Sequence, residues 1–168
     1  MSPHRLVLIR HAQAGSAPVD VDRPLTEHGL RQAAAIGSWL GRAGLVPDAV
    51  LVSPARRAVQ TWERAGVVLV PGLQPVLDAR IHDNTVGAVL AAVRETPDEV
   101  HTLAVVGHNP AVGQLVTVLD DGQGTPVARQ DARNGVPAGG VAVFDLAGPF
   151  ADLAPGGATL TEFTVPEV

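Results

Sequence analysis

"LVLIRHAQAG" (residues 6–15) runs four apolar residues straight into Arg10-His11 and then into a loop of small residues. An apolar run this short, partly β-branched and ended abruptly, reads as a buried strand over 5–9. Such a strand usually ends in an ordinary turn. This one ends on a guanidinium and an imidazole. The fold class depends on whether that strand-to-loop step recurs along the chain.

It recurs twice. In "DAVLVSPARRAVQTWERAG" (48–66), Val50–Val52 reads as a strand, Ser53 is placed to N-cap a helix, and Pro54 suits its first position. Ala55, Ala58, Val59, Trp62 and Ala65 form the apolar stripe of that helix. In "HTLAVVGHNPAVGQLVTVL" (101–119), a strand over 102–106 leads to Gly107-His108, with Asn109 as cap and Pro110 in the first turn.

The intervening segments read as helices. "LTEHGLRQAAAIGSWLGRAG" (25–44) has Thr26 as N-cap, Gly44 as stop, and one face marked by Leu30, Ala33, Ala34, Gly37 and Leu40. "NTVGAVLAAVRETP" (84–97) is capped by Asn84 or Thr85, and a short extended piece lies at Pro75–Leu77. "VPAGGVAVFDLAG" (136–148) and "ATLTEFTVP" (158–166) read as strands, and 122–140 as a long mobile loop.

Strands alternating with helices specify an α/β fold, a three-layer sandwich whose mostly parallel, mixed sheet is flanked by helices. Ligands of such folds bind at the carboxyl ends of the strands. Arg10-His11, Ser53-Pro54 with Arg56-Arg57, and Gly107–Pro110 all stand at such ends. If their strands are parallel neighbours, they share one crevice.

Composition narrows the chemistry. The 168 residues are one domain's worth, 46% of them hydrophobic, enough for a proper core. The net charge of −5 argues against nucleic acid as a partner. All 12 basic residues are Arg, and Lys, Cys and Tyr are absent. A P-loop, a cysteine nucleophile and a Schiff-base lysine are therefore excluded, and arginine is left as the permanent anion receptor. No apolar run approaches a membrane span, and "LVLI" is too short for a secretory h-region, so a soluble, cytoplasmic protein is expected.

Arg56 and Arg57 lie in the first turn of a helix, where the dipole disfavours cations and favours bound anions. They cannot both point the same way: either both lie solvated on the surface, or one of them reaches across to an anion at the strand ends. His11 and His108 each follow a buried strand. An imidazole is a competent nucleophile toward phosphorus, and Arg10 can hold the same phosphate. Gln13 and Ser16, just beyond, are candidate substrate contacts. His4, His28 and His101 read as surface or strand-edge residues, Asp120-Asp121 as a solvated helix end, and Trp39 and Trp62 as core.

"LVLIRHAQAG", "VSPARRAVQT" and "VVGHNPAVG" resemble the three signature segments of the histidine phosphatase superfamily, the phosphoglycerate-mutase-like fold. The chain length, "DRPLTEHG" (22–29) and "GHNP" (107–110) are most similar to the SixA-like phosphohistidine phosphatase branch. The resemblance spans the chain and implies a single histidine phosphatase domain over 1–168. By position it implies His11 as nucleophile, Arg10 and Arg57 as phosphate arginines, and His108 as a second, protonated phosphate contact. It implies transfer of phosphate to His11 and hydrolysis of the phosphohistidine, with neither metal nor other cofactor.

Two departures stand out. Ala12 occupies the position where Gly is commoner. No Glu follows the third strand in "PVLDARIHDNTVG" (75–87), where mutase-like members place the general acid. Asp83 is the candidate acid, with Asp78 and His82 behind it. An alkoxide leaving group needs a proton far more than an imidazole does, so the missing Glu favours protein phosphohistidine as substrate. A small phosphate ester, and a non-catalytic phosphate-recognising module, are the alternatives. Neither a membrane nor an obligatory partner subunit is implied, and a monomer is compatible with the sequence.

Overall fold

A computed structural model of the chain describes residues 3–168. Six strands form one sheet: β1 (Arg5–Arg10), β2 (Ala49–Val52), β3 (Val76–Leu77), β4 (Thr102–Gly107), β5 (Val141–Leu146) and β6 (Ala158–Thr164). Their order is β3-β2-β4-β1-β5-β6. The first four strands run parallel, and β5 and β6 each pair antiparallel with their neighbour. The mixed sheet expected from the sequence is therefore present.

Both faces of the sheet are covered. Leu6, Leu8, Leu103, Val105 and Phe144 pack on one side against Val89 and Val93 of α4 (Val86–Arg94) and Val112, Leu115 and Leu119 of α5 (Ala111–Leu119). Val7, Ile9, Ala104, Val106 and Val143 pack on the other against Ile36 and Leu40 of α1 (Glu27–Arg42) and Ala58, Trp62 and Ala65 of α2 (Arg56–Leu69). A strand buried on both faces must be apolar at every position, which is why "LVLI" and "LAVV" show no alternation. Two shorter helices complete the chain, α3 (Ala79–Asp83) and α6 (Pro126–Ala132). No helix among the described residues is long and apolar enough to cross a membrane.

Several local expectations change. The buried face of α1 comprises Gly29, Ala33, Ile36, Gly37 and Leu40, so Leu30 and Ala34 lie at its margin. Helix α2 begins at Arg56 with Ala55 at the cap, and Ser53 does not cap it. Thr26 and Thr85 do cap α1 and α4, accepting from Gly29 N–H and Ala88 N–H. Pro110, not Asn109, holds the cap position of α5, yet Asn109 Oδ1 still accepts from Gly113 N–H at 3.1 Å. The segment read as a loop over 122–140 contains α6, whose seven residues are too few to show a helical period. Asp120 pairs with Arg129 at 2.9 Å, and Trp62 is core.

Candidate active site

Strand order decides the site. β1 and β4 are parallel neighbours with Arg10 opposite Gly107, so His11 and His108 leave the sheet side by side. His11 N–H donates to Gly107 O at 3.0 Å, and the two imidazole centroids lie 5.1 Å apart. β2 lies on the other side of β4 and delivers Ser53 and α2 to the same edge. All three segments therefore meet at one crevice.

His11 is buried, with 8% of its surface exposed. Its Nδ1 lies 2.8 Å from Ala12 O. A carbonyl only accepts, so the proton sits on Nδ1 and the lone pair on Nε2. Burial pushes the His11 pKa down to about 4; the bond to Ala12 opposes this, and the charges of Arg57, Arg10 and Arg23 add to it. At neutral pH the ring is an uncharged base with a free Nε2.

The backbone just after His11 is tied to the helix that carries Arg57. Ala12 N–H donates to Thr61 Oγ1 at 3.0 Å, and that hydroxyl donates to Arg57 O at 2.7 Å. Arg57 is buried and Arg56 is exposed, as two adjacent helical positions require. Arg57 Nη1 and Nη2 donate to Asp20 O at 3.0 Å and Asp20 Oδ2 at 3.2 Å, beneath the loop 15–24. Arg23, from the same loop, donates to Gly15 O and Asp20 Oδ1. Arg10 Nη1 donates to Val136 O at 3.1 Å.

His108 is 4% exposed, and its Nε2 lies 2.7 Å from Ser53 Oγ. Burial, followed by the charges of His11, Arg57 and His82, pushes its pKa down to about 3, against a smaller opposing effect of Asp20. Burial thus works against the protonated His108 that the resemblance implies. Beside Arg57, and with only the exposed Asp20 of opposite sign, a buried imidazolium is poorly compensated.

Three buried side-chain nitrogens have no partner among the described residues: Arg10 Nε, Arg57 Nε and His108 Nδ1. All three belong to the residues expected to hold phosphate.

The candidate acids separate. Asp78 caps α3 and pairs with Arg80 at 2.7 Å, and Arg80 in turn pairs with Glu95. Asp83 ends α3 in an exposed position. His82 is exposed too, and its ring stands edge-on to His108 with centroids 5.7 Å apart. Of the three, His82 is the one placed against the histidine pair. Gln13 is exposed; its Oε1 accepts from Thr26 Oγ1 at 2.8 Å, which turns it toward the start of α1. Ser16 is exposed on the same loop.

The turn carrying His108 is held from outside. Asn84, at φ 65°, donates from Nδ2 to Asn109 O at 2.7 Å and accepts at Oδ1 from Ala111 N–H at 3.1 Å. Of the two cap candidates for α4, Asn84 and Thr85, Thr85 takes the cap and leaves the Asn84 side chain for this turn. The side chain of Asn109 donates to Val136 O at 2.9 Å, the carbonyl that also accepts from Arg10. Beside Arg10 and Asn109 lies an open cleft of about 640 Å³, walled by Asp131, Asn134, Val136 and Phe163. Among the described residues no group of three or more His, Asp or Glu side chains is arranged to hold a metal ion.

The sequence pattern of the histidine phosphatase superfamily (branch 1) matches residues 6–102, more than half of the chain. The chain belongs to the histidine phosphatase superfamily. Within it the SixA-like branch is the one it resembles in both sequence and structure. The phosphohistidine phosphatase SixA of Escherichia coli is 34% identical over 126 residues, covering 73% of this chain and 78% of that protein. An uncharacterized protein of Mycobacterium tuberculosis H37Rv is 39% identical over 163 residues, covering 94% and 99%. A SixA structure from Nakamurella multipartitia superposes with a TM-score of 0.87 at 35% identity, covering 100% and 99%. The protein histidine phosphatase SixA complexed with tungstate gives 0.78 at 27% identity, covering 96% and 97%. The three-layer fold of the chain is thus that of the branch.

Proposed function

We propose that the protein is a metal-independent phosphatase acting on protein phosphohistidine, through a phosphoryl group carried transiently on His11. The observation that carries this reading is the set of unpartnered buried nitrogens on Arg10, Arg57 and His108. A buried polar group without a partner costs about 1–3 kcal/mol. Three such groups around one nucleophile fit a tetrahedral oxyanion, whose several oxygens accept from all of them. A relative at 27% identity is complexed with tungstate, an anion of that shape.

The chemistry follows from the geometry. His11 Nε2 attacks phosphorus in line and expels the leaving group; water then attacks the phosphohistidine. Arg10 and Arg57 stabilise the charge on the equatorial oxygens, and donors already held in place are the strongest contribution such a site makes. The bond from His11 Nδ1 to Ala12 O stabilises the positive charge that the ring acquires as the N–P bond forms.

The leaving group decides the substrate class. Asp78 is committed to Arg80. Asp83 is proposed as the acid, with His82, whose ring stands edge-on to His108, behind it. Both are exposed, so a proton from either is less shielded than a sugar alkoxide calls for. An imidazole leaving group needs less help. The relative from Escherichia coli is named for phosphohistidine phosphatase activity. A small-molecule phosphomonoesterase is the second reading, and the open cleft of about 640 Å³ beside Arg10 favours it.

The test is a rapid-quench turnover. Acid-labile phosphate is expected on His11 by mass spectrometry, and none in His11→Ala. Turnover by the wild type without any label on His11 refutes the mechanism. A sugar-phosphate rate far above the phosphohistidine-peptide rate moves the assignment to the second reading.

A further inference from the structure

Ser53, at the carboxyl end of β2, is fully buried and does not cap α2. It leaves the cap position to Ala55 and makes two contacts. Its Oγ accepts from Ala55 N–H at 3.2 Å, and it lies 2.7 Å from His108 Nε2. From these contacts we infer that Ser53 is a positioning residue that fixes the tautomer of His108, holding the ring neutral with its proton on Nδ1 as a donor to the phosphoryl oxygens. The inference rests on the phosphatase reading for its ligand, but not for its geometry.

The argument is a count of protons and lone pairs. A serine hydroxyl has one proton to donate. If that proton goes to His108 Nε2, Ser53 is satisfied on both sides. Nε2 is then an acceptor, and Nδ1 carries the proton of the neutral ring. The one group left over is the Nδ1–H, which is buried and unpartnered.

In the reverse arrangement Nε2–H donates to Oγ. The hydroxyl proton then has no acceptor in a fully buried position, and Nδ1 presents a lone pair to incoming oxygens. That leaves two buried groups wrong instead of one, and the second repels an anion. Buried polar groups in folded proteins are overwhelmingly paired, so the first arrangement holds.

A doubly protonated ring fares no better. It too makes Ser53 accept twice, leaving its hydroxyl proton stranded. Among the groups that face His108, Arg57 repels a cation and only the exposed Asp20 is of opposite sign; the rings of His11 and His82, at 5.1 Å and 5.7 Å between centroids, offer it no negative charge. Ser53 therefore gives His108 the part of a neutral donor. Transfer to His11 then needs no proton from His108, whose N–H simply shortens its bond as oxygen charge grows.

Nitrogen-15 NMR of histidine-labelled wild-type protein at pH 7 tests this directly. His108, assigned by its loss in His108→Gln, is expected to show a protonated Nδ1 and an unprotonated Nε2. A protonated Nε2, alone or with Nδ1, overturns the proposal; this arm needs no variant at Ser53 to fold. In Ser53→Ala the His108 signals are expected to move toward the Nε2–H form, and the Kd for inorganic phosphate to rise roughly ten- to hundredfold. Unchanged signals in that variant overturn the proposal. A wild type with the expected tautomer that fails to bind phosphate retains the role of Ser53 and refutes the phosphatase reading instead.

Discussion

Lowering the pH from 7 to 5 should destabilise this protein by about 4 kcal/mol, through His11 and His108 alone. Both rings are buried, with folded pKa values of about 4 and about 3. The unfolded value of a histidine is about 6.5. Because the folded values are the lower ones, the unfolded chain takes up protons that the folded chain refuses. The stabilisation is complete above about pH 6.5 and is lost as pH falls toward the folded values. At pH 5 each unfolded ring is almost fully protonated and each folded ring almost fully neutral. That difference is worth about 2 kcal/mol per ring, and almost nothing at pH 7. Carboxylates contribute little in this window, since their unfolded values lie near 4. The assay is urea unfolding at the two pH values, for the wild type and for His11→Asn/His108→Gln. The wild type should lose most of the stated amount and the double variant should lose little. A wild-type loss under about 1 kcal/mol, or an equal loss in the double variant, refutes the claim that both rings are held neutral by burial.

Two further predictions concern the supports of the site. Thr61→Val removes the acceptor of Ala12 N–H at 3.0 Å, leaving a buried donor next to His11; thermal unfolding should show a loss of about 1–3 kcal/mol. Gly29→Ala places a methyl group 2.0 Å from Gln13 O, on the loop that follows His11. Backbone cannot yield as a flexible side chain does, so stability should fall by about 1–3 kcal/mol, and trapping of phosphate on His11 should fall with it. A stable Gly29→Ala variant with full labelling contradicts the tight seat of that loop.

The sequence by itself determined the layers and most of the site. Runs such as "LVLI" and "LAVV", apolar at every position, can only be strands covered on both faces. Each ends abruptly because the next residue leaves the sheet. The alternation of strand and helix then requires parallel strands whose carboxyl ends face one way. Arg10, His11 and His108 stood out because they lie at or just beyond those ends, whereas Arg57, inside the next helix, was separated from Arg56 only by the family resemblance. Separations in sequence carry no strand order, however, and β2-β4-β1 adjacency is what turns three separate ends into one crevice. Nor does a local pattern report a partner 55 residues away, as with Ser53 and His108. Ser53 and Asn84 both read as helix caps, since short polar side chains before a helix usually bond its first amides. In the folded chain Ser53 turns to His108 and Asn84 to the turn that follows it. The lowered pKa of His108 comes last, from burial and then from His11 and Arg57 beside it. That is a property of the packed environment, and no stretch of sequence contains it.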